Sequence, residues 1–350
     1  MDDIETKNVF IKLAARFDDP KKIKSLPEIL KLMITEKEAG ILLYLPGTVE
    51  EVQNRSGENL DQAKSVLEKC FRNGIVVRTK QRKDEFRYAF PDIYDDTIVS
   101  DHRNNALGTR YKELWSQWTK EQREHREFEI DPDAPPGRRV IPISEMVHDH
   151  DTILPFEDAK AIVEASQCRV VQQCPCRYRT RACDYPVDDI CLLFDGLAED
   201  AIERGYGKGI SKEKALEVLR RGSEVGLVHV SSGEYYEDAT LGAEFICNCC
   251  PCCCGLLEPY FSSNREIKIG TNYYAEADSE KCIGCATCED RCHFDAIKVV
   301  DEIAVVYRDK CVGCGLCAYT CEQEAITLRR IKERVYRPPR TDRHFINPRD

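Results

Sequence analysis

The sequence predicts an α+β chain with three structured regions, and three observations carry this prediction. Residues 25–95 hold helix-start signals followed by alternating strand patterns. Residues 138–278 mix short helix and strand patterns with many cysteines, and residues 279–328 contain one cysteine pattern twice, 29 residues apart. The remaining segments are interpreted as a charged lead-in (1–24), a polar helical connector (96–137) and a basic tail (329–350).

The first region (25–95) is predicted to be a helical domain closed by a β-hairpin. Its helix starts carry three capping boxes, namely Ser25 with Glu28, Thr35 with Glu38, and Thr48 with Glu51. Asn59 starts a fourth helix, and Gly74 stands where the chain leaves it. Strand patterns follow at 75–77 and 86–90. A set of short helices followed by a hairpin resembles the winged helix-turn-helix fold.

The connector carries Leu114, Trp115 and Trp118 on one face of a predicted helix, which favours a docking stripe between domains over a ligand site. Short elements then alternate through the central region. Strands are predicted at 140–143 and 168–171, and helices at 156–165 and 211–221, the last capped by Ser211. The central region is therefore expected to be a mixed α/β domain.

The third region is an internal repeat of the pattern C-x2-C-x2-C-x3-C, at 282–300 and 311–329. This resembles the bacterial-type ferredoxin, a βαβ-type repeat with two [4Fe–4S] clusters. In that family the ligands cross between the repeats, and the fourth cysteine of each unit begins a short helix. The resemblance implies Cys282, Cys285, Cys288 and Cys321 for one cluster, and Cys311, Cys314, Cys317 and Cys292 for the other. A pair of zinc knuckles is disfavoured, because zinc sites prefer two separated cysteine pairs.

Eleven of the 20 cysteines lie in the central region. The first block reads C-x-C-R-x5-C-x7-C and comprises Cys174, Cys176, Cys183 and Cys191, with Cys168 upstream. The second block comprises Cys247, Cys249, Cys250, Cys252, Cys253 and Cys254. Adjacent cysteines rarely meet disulfide geometry, so ligation of one or two further iron–sulfur clusters is expected. Each block holds its own cluster in one arrangement, and the two blocks interleave in the other.

The two central blocks followed by a ferredoxin module resemble multi-cluster 4Fe–4S proteins of strict anaerobes. Arg177, Arg179 and Arg181 are interleaved with the first block and are expected to offset thiolate charge. Cys253-Cys254-Gly255 is also similar to the Cys-Cys-Gly motif of the heterodisulfide reductase catalytic subunit, but that family needs two copies and this chain has one.

The leading functional prediction is an iron–sulfur electron-transfer protein or subunit that serves a partner oxidoreductase, such as a flavoprotein, in anaerobic metabolism. The alternatives are an oxidoreductase whose substrate binds a central cluster, and a redox-sensing DNA-binding regulator. Nucleic acid is disfavoured, because the net charge is −11 and residues 25–91 hold 11 basic against 10 acidic residues. With no apolar membrane span and an acidic start, the expected location is the cytoplasm.

Overall fold

A computed structural model gives the arrangement of these regions. The structure describes residues 8–17, 19–80, 85–91, 98, 101–125, 138–148, 153–232, 235–236, 243–255, 257, 269–331 and 340–341. Helices and mainly antiparallel sheets make up the described chain, which is consistent with an α+β class. In this part of the chain, no helix combines the length and apolar character needed to cross a membrane.

The first region is a helical bundle with a small antiparallel sheet. Its elements are α1 (Val9–Ala14), α2 (Ser25–Met33), α3 (Glu36–Leu42), β1 (Gly47–Thr48), α4 (Val49–Ser56), α5 (Leu60–Arg72), β2 (Val77–Lys80) and β3 (Phe86–Ala89). The strands lie in the order β1-β3-β2, which confirms the predicted hairpin, while its turn at 81–84 lies outside the described residues. Helix α1 lies within the predicted lead-in, yet Phe10 and Leu13 are buried in the core of the bundle.

Local capping signals explain most of these helix starts. Thr35 and Thr48 form the predicted capping boxes, and Asn59 accepts a hydrogen bond from the backbone of α5. The prediction for Ser25 is wrong, because Ser25 is already the first residue of α2. Its backbone N–H and hydroxyl both donate to Glu121, at 3.0 and 2.6 Å, so a carboxylate 96 residues away takes the place of the cap.

The connector forms a short 3-10 helix (His102–Leu107) and then α6 (Gly108–His125). Trp115 is fully buried in the core of the first region, and Trp118 packs against it edge-to-face, with 5.4 Å between ring centroids. On the other side, the Arg179 guanidinium lies over the Trp118 ring at 5.4 Å. The predicted docking stripe is confirmed, because it joins the first region to the segment that follows Cys176.

The central region is built on one antiparallel sheet of six strands, in the order β4-β8-β10-β6-β5-β7. Its elements are β4 (Arg138–Val140), α7 (Ala159–Ala165), β5 (Arg169–Gln172), α8 (Pro175–Thr180), β6 (Cys191–Phe194), α9 (Asp195–Arg204), β7 (Lys208–Gly209), α10 (Lys212–Val225), β8 (Val228–Ser232), β9 (Tyr235–Tyr236) and β10 (Phe245–Cys249), with 3-10 turns at Ser144–Met146 and Pro155–Glu157. The four predicted elements correspond to β4, α7, β5 and α10 within a few residues, and Ser211 caps α10 as expected, whereas the other elements were not predicted.

The repeated region contains two small antiparallel sheets of two strands each. Its elements are β11 (Tyr273–Ala277), α11 (Thr287–Arg291), β12 (Ile297–Val300), β13 (Ile303–Val306), α12 (Leu316–Tyr319) and β14 (Ile326–Arg330). Strand β11 pairs with β14, and β12 pairs with β13. The expectation that the fourth cysteine begins a helix is wrong: α11 and α12 contain the third cysteine of each unit and end before the fourth.

Two contacts fix the repeated region against the central one. Arg291 donates to the carbonyls of Ser223 and Glu224, and the His293 ring lies 2.7 Å from the Gly226 carbonyl, so both side chains meet the C-terminal end of α10. Of the basic tail, β15 (Arg340–Thr341) pairs in parallel with β9.

Candidate metal centres

The first cysteine of each repeat accepts a hydrogen bond from an equivalent backbone position. The backbone N–H of Ala275 donates to the Cys311 sulfur at 3.3 Å, and that of Ala304 donates to the Cys282 sulfur at 3.4 Å. Alanine and cysteine are each displaced by 29 residues between these two contacts. The fourth cysteines behave alike, since Cys292 and Cys321 each accept a hydrogen bond from the backbone four residues later. Hydrogen bonds to thiolate sulfur tune an iron–sulfur cluster, so the backbone is arranged for ligation.

A small apolar cavity lies between the two repeats, and four of its lining residues are cysteines. They are Cys292 from the first unit and Cys311, Cys314 and Cys317 from the second, the set that the ferredoxin resemblance implies. Burial, followed by the charges of Cys311 and Cys292, raises the pKa of Cys314 to about 12. As thiolates, these four cysteines would require the positive charge of a bound metal group in such an apolar cavity.

The other set of the repeat lies nearer the surface. Cys285 is exposed, whereas Cys288 is buried and lies within the electrostatic reach of Cys282 and Cys285. The charge of Glu322 also reaches Cys285, so Cys321, the neighbour of Glu322 in the chain, lies near this group. Ile283, between these ligand candidates, exposes 64% of its surface.

Glycine conformations hold the loops close to the sulfurs and give a matched stability test. Gly313 and Gly57 both have left-handed φ angles, of 64° and 75°. A Cβ at Gly313 would lie 2.4 Å from the Tyr273 carbonyl oxygen, whereas nothing lies within 4 Å of one at Gly57. Both alanine variants incur the left-handed penalty of about 1 kcal/mol, but we expect only Gly313→Ala to lower the urea midpoint further and to lose iron. Equal losses in both variants would show that the close contact is unimportant.

The central cysteines divide into two groups that draw on both sequence blocks. Six thiols form a closed circuit of neighbours, here called the thiol ring. In order around the ring they are Cys174, Cys191, Cys247, Cys249, Cys254 and Cys176. Cys249 and Cys254 are 3.1 Å apart, and interactions with Cys191 and Cys249 lower the pKa of Cys247 to about 6.

The second group, here called the four-sulfur site, comprises Cys183, Cys250, Cys252 and Cys253, whose sulfur atoms all lie within 4.8 Å of one another. The Cys183 sulfur lies 3.5 Å from that of Cys253 and 3.9 Å from that of Cys250. The sulfur atoms are therefore grouped across the two sequence blocks. Cys183 does not join Cys174, Cys176 and Cys191, and the later block is shared between the two groups.

Strand geometry explains this division. Cys247 and Cys249 lie on the same face of β10, because side chains alternate along a strand. Asn248 points the other way and lies 2.7 Å from the His229 ring, in a buried network with Ser223. The strand ends at Cys249, and the turn that follows directs the next cysteines to the four-sulfur site. The spacing of two residues between Cys247 and Cys249 is the sequence signal that predicts their shared face of the strand.

Arg177 lies between the two groups and is 1% exposed. Its guanidinium donates to the carbonyls of Pro186 and Asn248, at 2.7 and 2.8 Å, and lies 3.7 Å from the Cys250 sulfur. Burial alone lowers the pKa of Arg177, but the charges of Cys174, Cys191 and Cys250 raise it overall.

No carboxylate forms an ion pair with Arg177 within the described ranges, and its Nη2 atom has no hydrogen-bond partner there. A buried cation needs a counter-charge, and thiolates are the nearby source. The hydrogen bond from Cys253 and that from Arg177 lower the pKa of Cys250 to about 4. The donor set thus fits metal-bound thiolates on both sides of Arg177.

The other residues singled out by the sequence are more distant. Arg179 approaches the Cys176 sulfur at 4.0 Å, whereas Arg181 is exposed and donates to the Tyr178 carbonyl. Cys168 packs with Val170 and Leu193 in another apolar cluster, and burial, followed by the charges of Glu199 and Asp195, raises its pKa. Cys70 is buried in the core of the first region.

Comparison with known proteins bears on the repeated region. No curated protein and no solved structure matches the chain. Residues 262–328, which include both cysteine repeats, match the family described as 4Fe-4S dicluster domain. The repeated region is therefore an iron–sulfur, ferredoxin-like module.

Proposed function

We propose that the chain is an electron-transfer protein whose module holds two [4Fe–4S] clusters through crossed ligands. The observation that carries this proposal is the cavity in which Cys292 from one unit meets three cysteines of the other. One cluster, here called the inner cluster, is assigned to Cys292, Cys311, Cys314 and Cys317. The other, here called the outer cluster, is assigned to Cys282, Cys285, Cys288 and Cys321. When bound, each cluster supplies a one-electron redox centre.

The thiol ring is proposed to hold a further iron–sulfur cluster. Its members Cys249 and Cys254 are buried in the same apolar cluster as Phe294 and Leu316 of the module. Cys292, Cys311 and Cys314 also pack against that cluster. Two ligand sets that share one apolar core are close enough to support electron exchange between the module and the central region.

A protein redox partner is proposed to dock beside the outer cluster. Cys285 is exposed there, and exposed apolar side chains lie at Ile283, Val300 and Ile303. Interfaces for transient electron transfer are small, and an exposed apolar patch near a redox centre suits them. The outer cluster is therefore proposed as the port for a partner such as a flavoprotein.

The first region is proposed to be a docking domain with a winged-helix-like shape. Three of the basic side chains that a DNA-binding domain would present are engaged within the chain. Lys69 pairs with Glu38 at 2.8 Å, Arg78 pairs with Glu68 at 2.9 Å, and Arg87 pairs with Glu51 at 2.8 Å. DNA phosphates would have to displace these acids, which favours a protein-docking role.

Anaerobic purification followed by iron and sulfide counting tests the proposal. We expect about eight irons from the module and about four or more from the thiol ring, with equivalent sulfide. Reduction is expected to give the EPR signals of interacting [4Fe–4S] centres. A protein with iron but no acid-labile sulfide would contradict it.

The crossed ligation makes a separate prediction for two matched variants. Cys321→Ser is expected to disturb the outer cluster, although Cys321 follows Cys311, Cys314 and Cys317 in the chain. Cys292→Ser is expected to disturb the inner cluster instead. EPR of each reduced variant measures which signal survives, and loss of the inner cluster in Cys321→Ser would show that each repeat binds its own cluster.

A further inference from the structure

We infer that the four-sulfur site binds a single zinc ion, separate from the iron–sulfur clusters. Its ligands are Cys183, Cys250, Cys252 and Cys253, whose sulfurs lie within 4.8 Å of one another. A tetrahedral zinc ion with Zn–S bonds of about 2.3 Å sets its sulfurs about 3.8 Å apart. The distances of 3.5 and 3.9 Å from Cys183 to two of its partners agree with that geometry.

The ferredoxin-like module provides the internal comparison. A [4Fe–4S] cluster binds one thiolate at each of four irons, so its ligand sulfurs stand apart around a cube. The module follows this rule, because Cys292, Cys311, Cys314 and Cys317 line one apolar cavity while no three of their sulfurs lie within 4.8 Å of one another. Among the described residues, only the four-sulfur site gathers three or more ligand atoms within 4.8 Å of one another, and the module cysteines are all described.

Spacing and charge agree with this assignment. Cys250 and Cys253 have the C-x2-C spacing that is common in closed tetrahedral zinc sites. Four thiolates around Zn²⁺ leave a net charge of −2, and the buried Arg177 lies 3.7 Å from the Cys250 sulfur, where it offsets that charge. The Ala182 backbone N–H also donates to the Cys253 sulfur, at 3.3 Å.

A zinc ion here would have a structural role toward the thiol ring. Cys250, Cys252 and Cys253 lie between the ring members Cys249 and Cys254 in the chain. Holding the intervening turn to Cys183 fixes where those two ring thiols lie. The zinc site would thus position ligands of the neighbouring cluster without exchanging electrons itself, because Zn²⁺ has no redox chemistry in proteins.

Elemental analysis of the full chain, purified without oxygen from zinc-containing medium, tests the inference. We expect one zinc per chain besides the iron, and zinc K-edge X-ray absorption with four sulfur neighbours at about 2.3 Å. Cys183→Ser is expected to lower bound zinc about tenfold or more while the EPR signals of the module persist. The control Cys168→Ser removes a central cysteine outside both groups and should retain zinc and iron.

Several results would overturn the inference without touching the proposed function. They are wild-type protein free of zinc, a single iron at this site, and a zinc content in Cys183→Ser equal to that of the wild type. The absorption spectrum needs only the wild type, so it decides the coordination even when Cys183→Ser does not fold. Absence of the module's EPR signals from the wild type would count against the proposed function instead.

Discussion

Arg177→Met is expected to destabilise the folded protein by about 3–5 kcal/mol, the cost of leaving buried opposite charges unpaired. Methionine keeps much of the side-chain volume and removes the charge. Arg177 is 1% exposed, and the charges of Cys174, Cys191 and Cys250 all act on it. Its loss leaves the thiolates of both central groups without their buried counter-charge, so bound metal is expected to fall together with stability.

Arg181→Met is the matched control, because Arg181 belongs to the same motif but is exposed. That variant is expected to change stability by no more than about 0.5 kcal/mol. Urea midpoints under anaerobic conditions and metal content measure both effects. If Arg177→Met kept its midpoint and its metal, Arg177 would not be the counter-charge of the central thiolates, and the electrostatic argument for metal on both sides of this residue would fail.

Local sequence signals predicted the parts of the fold that depend on a few neighbouring residues. Thr35 and Thr48 cap their helices because the glutamate three residues later is always within reach. Ser25 shows the same spacing but meets Glu121 of α6, and no local pattern reveals a partner 96 residues away. The capping of a helix can thus be lost to a tertiary contact.

The candidate site likewise has a part that local sequence predicts and a part that depends on tertiary contacts. The ligand pattern of the repeat at 282–300 and 311–329 could be predicted, because the spacing of its cysteines is local. The grouping of Cys183 with Cys250 depends on the antiparallel pairing of β6 with β10, which brings distant parts of the chain together. The burial of Arg177 could not be predicted from the sequence either, because Arg177, Arg179 and Arg181 lie within five residues of one another and share the same neighbourhood in the chain. Only the packed sheet distinguishes the arginine that lies between thiols.

Glu157→Gln is expected to cost about 3 kcal/mol at neutral pH, because it removes a buried charge that joins the central region to the module. Glu157 is 4% exposed and accepts hydrogen bonds from Arg330 and from the Tyr273 hydroxyl, both at 2.7 Å. Asn272 and the Leu154 backbone donate to the same carboxylate. An amide places donors opposite donors, so the Arg330 charge would remain buried without its partner.

The pH dependence follows from the same contacts. Burial alone raises the pKa of Glu157, but hydrogen bonds from Arg330, Leu154 and Tyr273 lower it below the ordinary value of 4.5. A carboxyl whose pKa is lower in the folded state stabilises the protein fully above its unfolded pKa, and this contribution disappears as the pH falls through the folded pKa. The difference in urea midpoint between wild type and Glu157→Gln should therefore be constant from pH 8 to about 5 and shrink below about 4.5.

Taking the difference at each pH cancels the acid loss of iron that both proteins share. Glu145→Gln is the matched control, because Glu145 pairs with Lys160 at 2.5 Å but leaves 58% of its side chain exposed. Solvent screens that pair, so its loss should cost less than about 1 kcal/mol. Equal effects of the two substitutions would mean that the contact between Glu157 and Arg330 does not hold the module to the central sheet. A large effect confined to Glu157→Gln would identify this buried ion pair as a principal link between the two ligand-bearing regions.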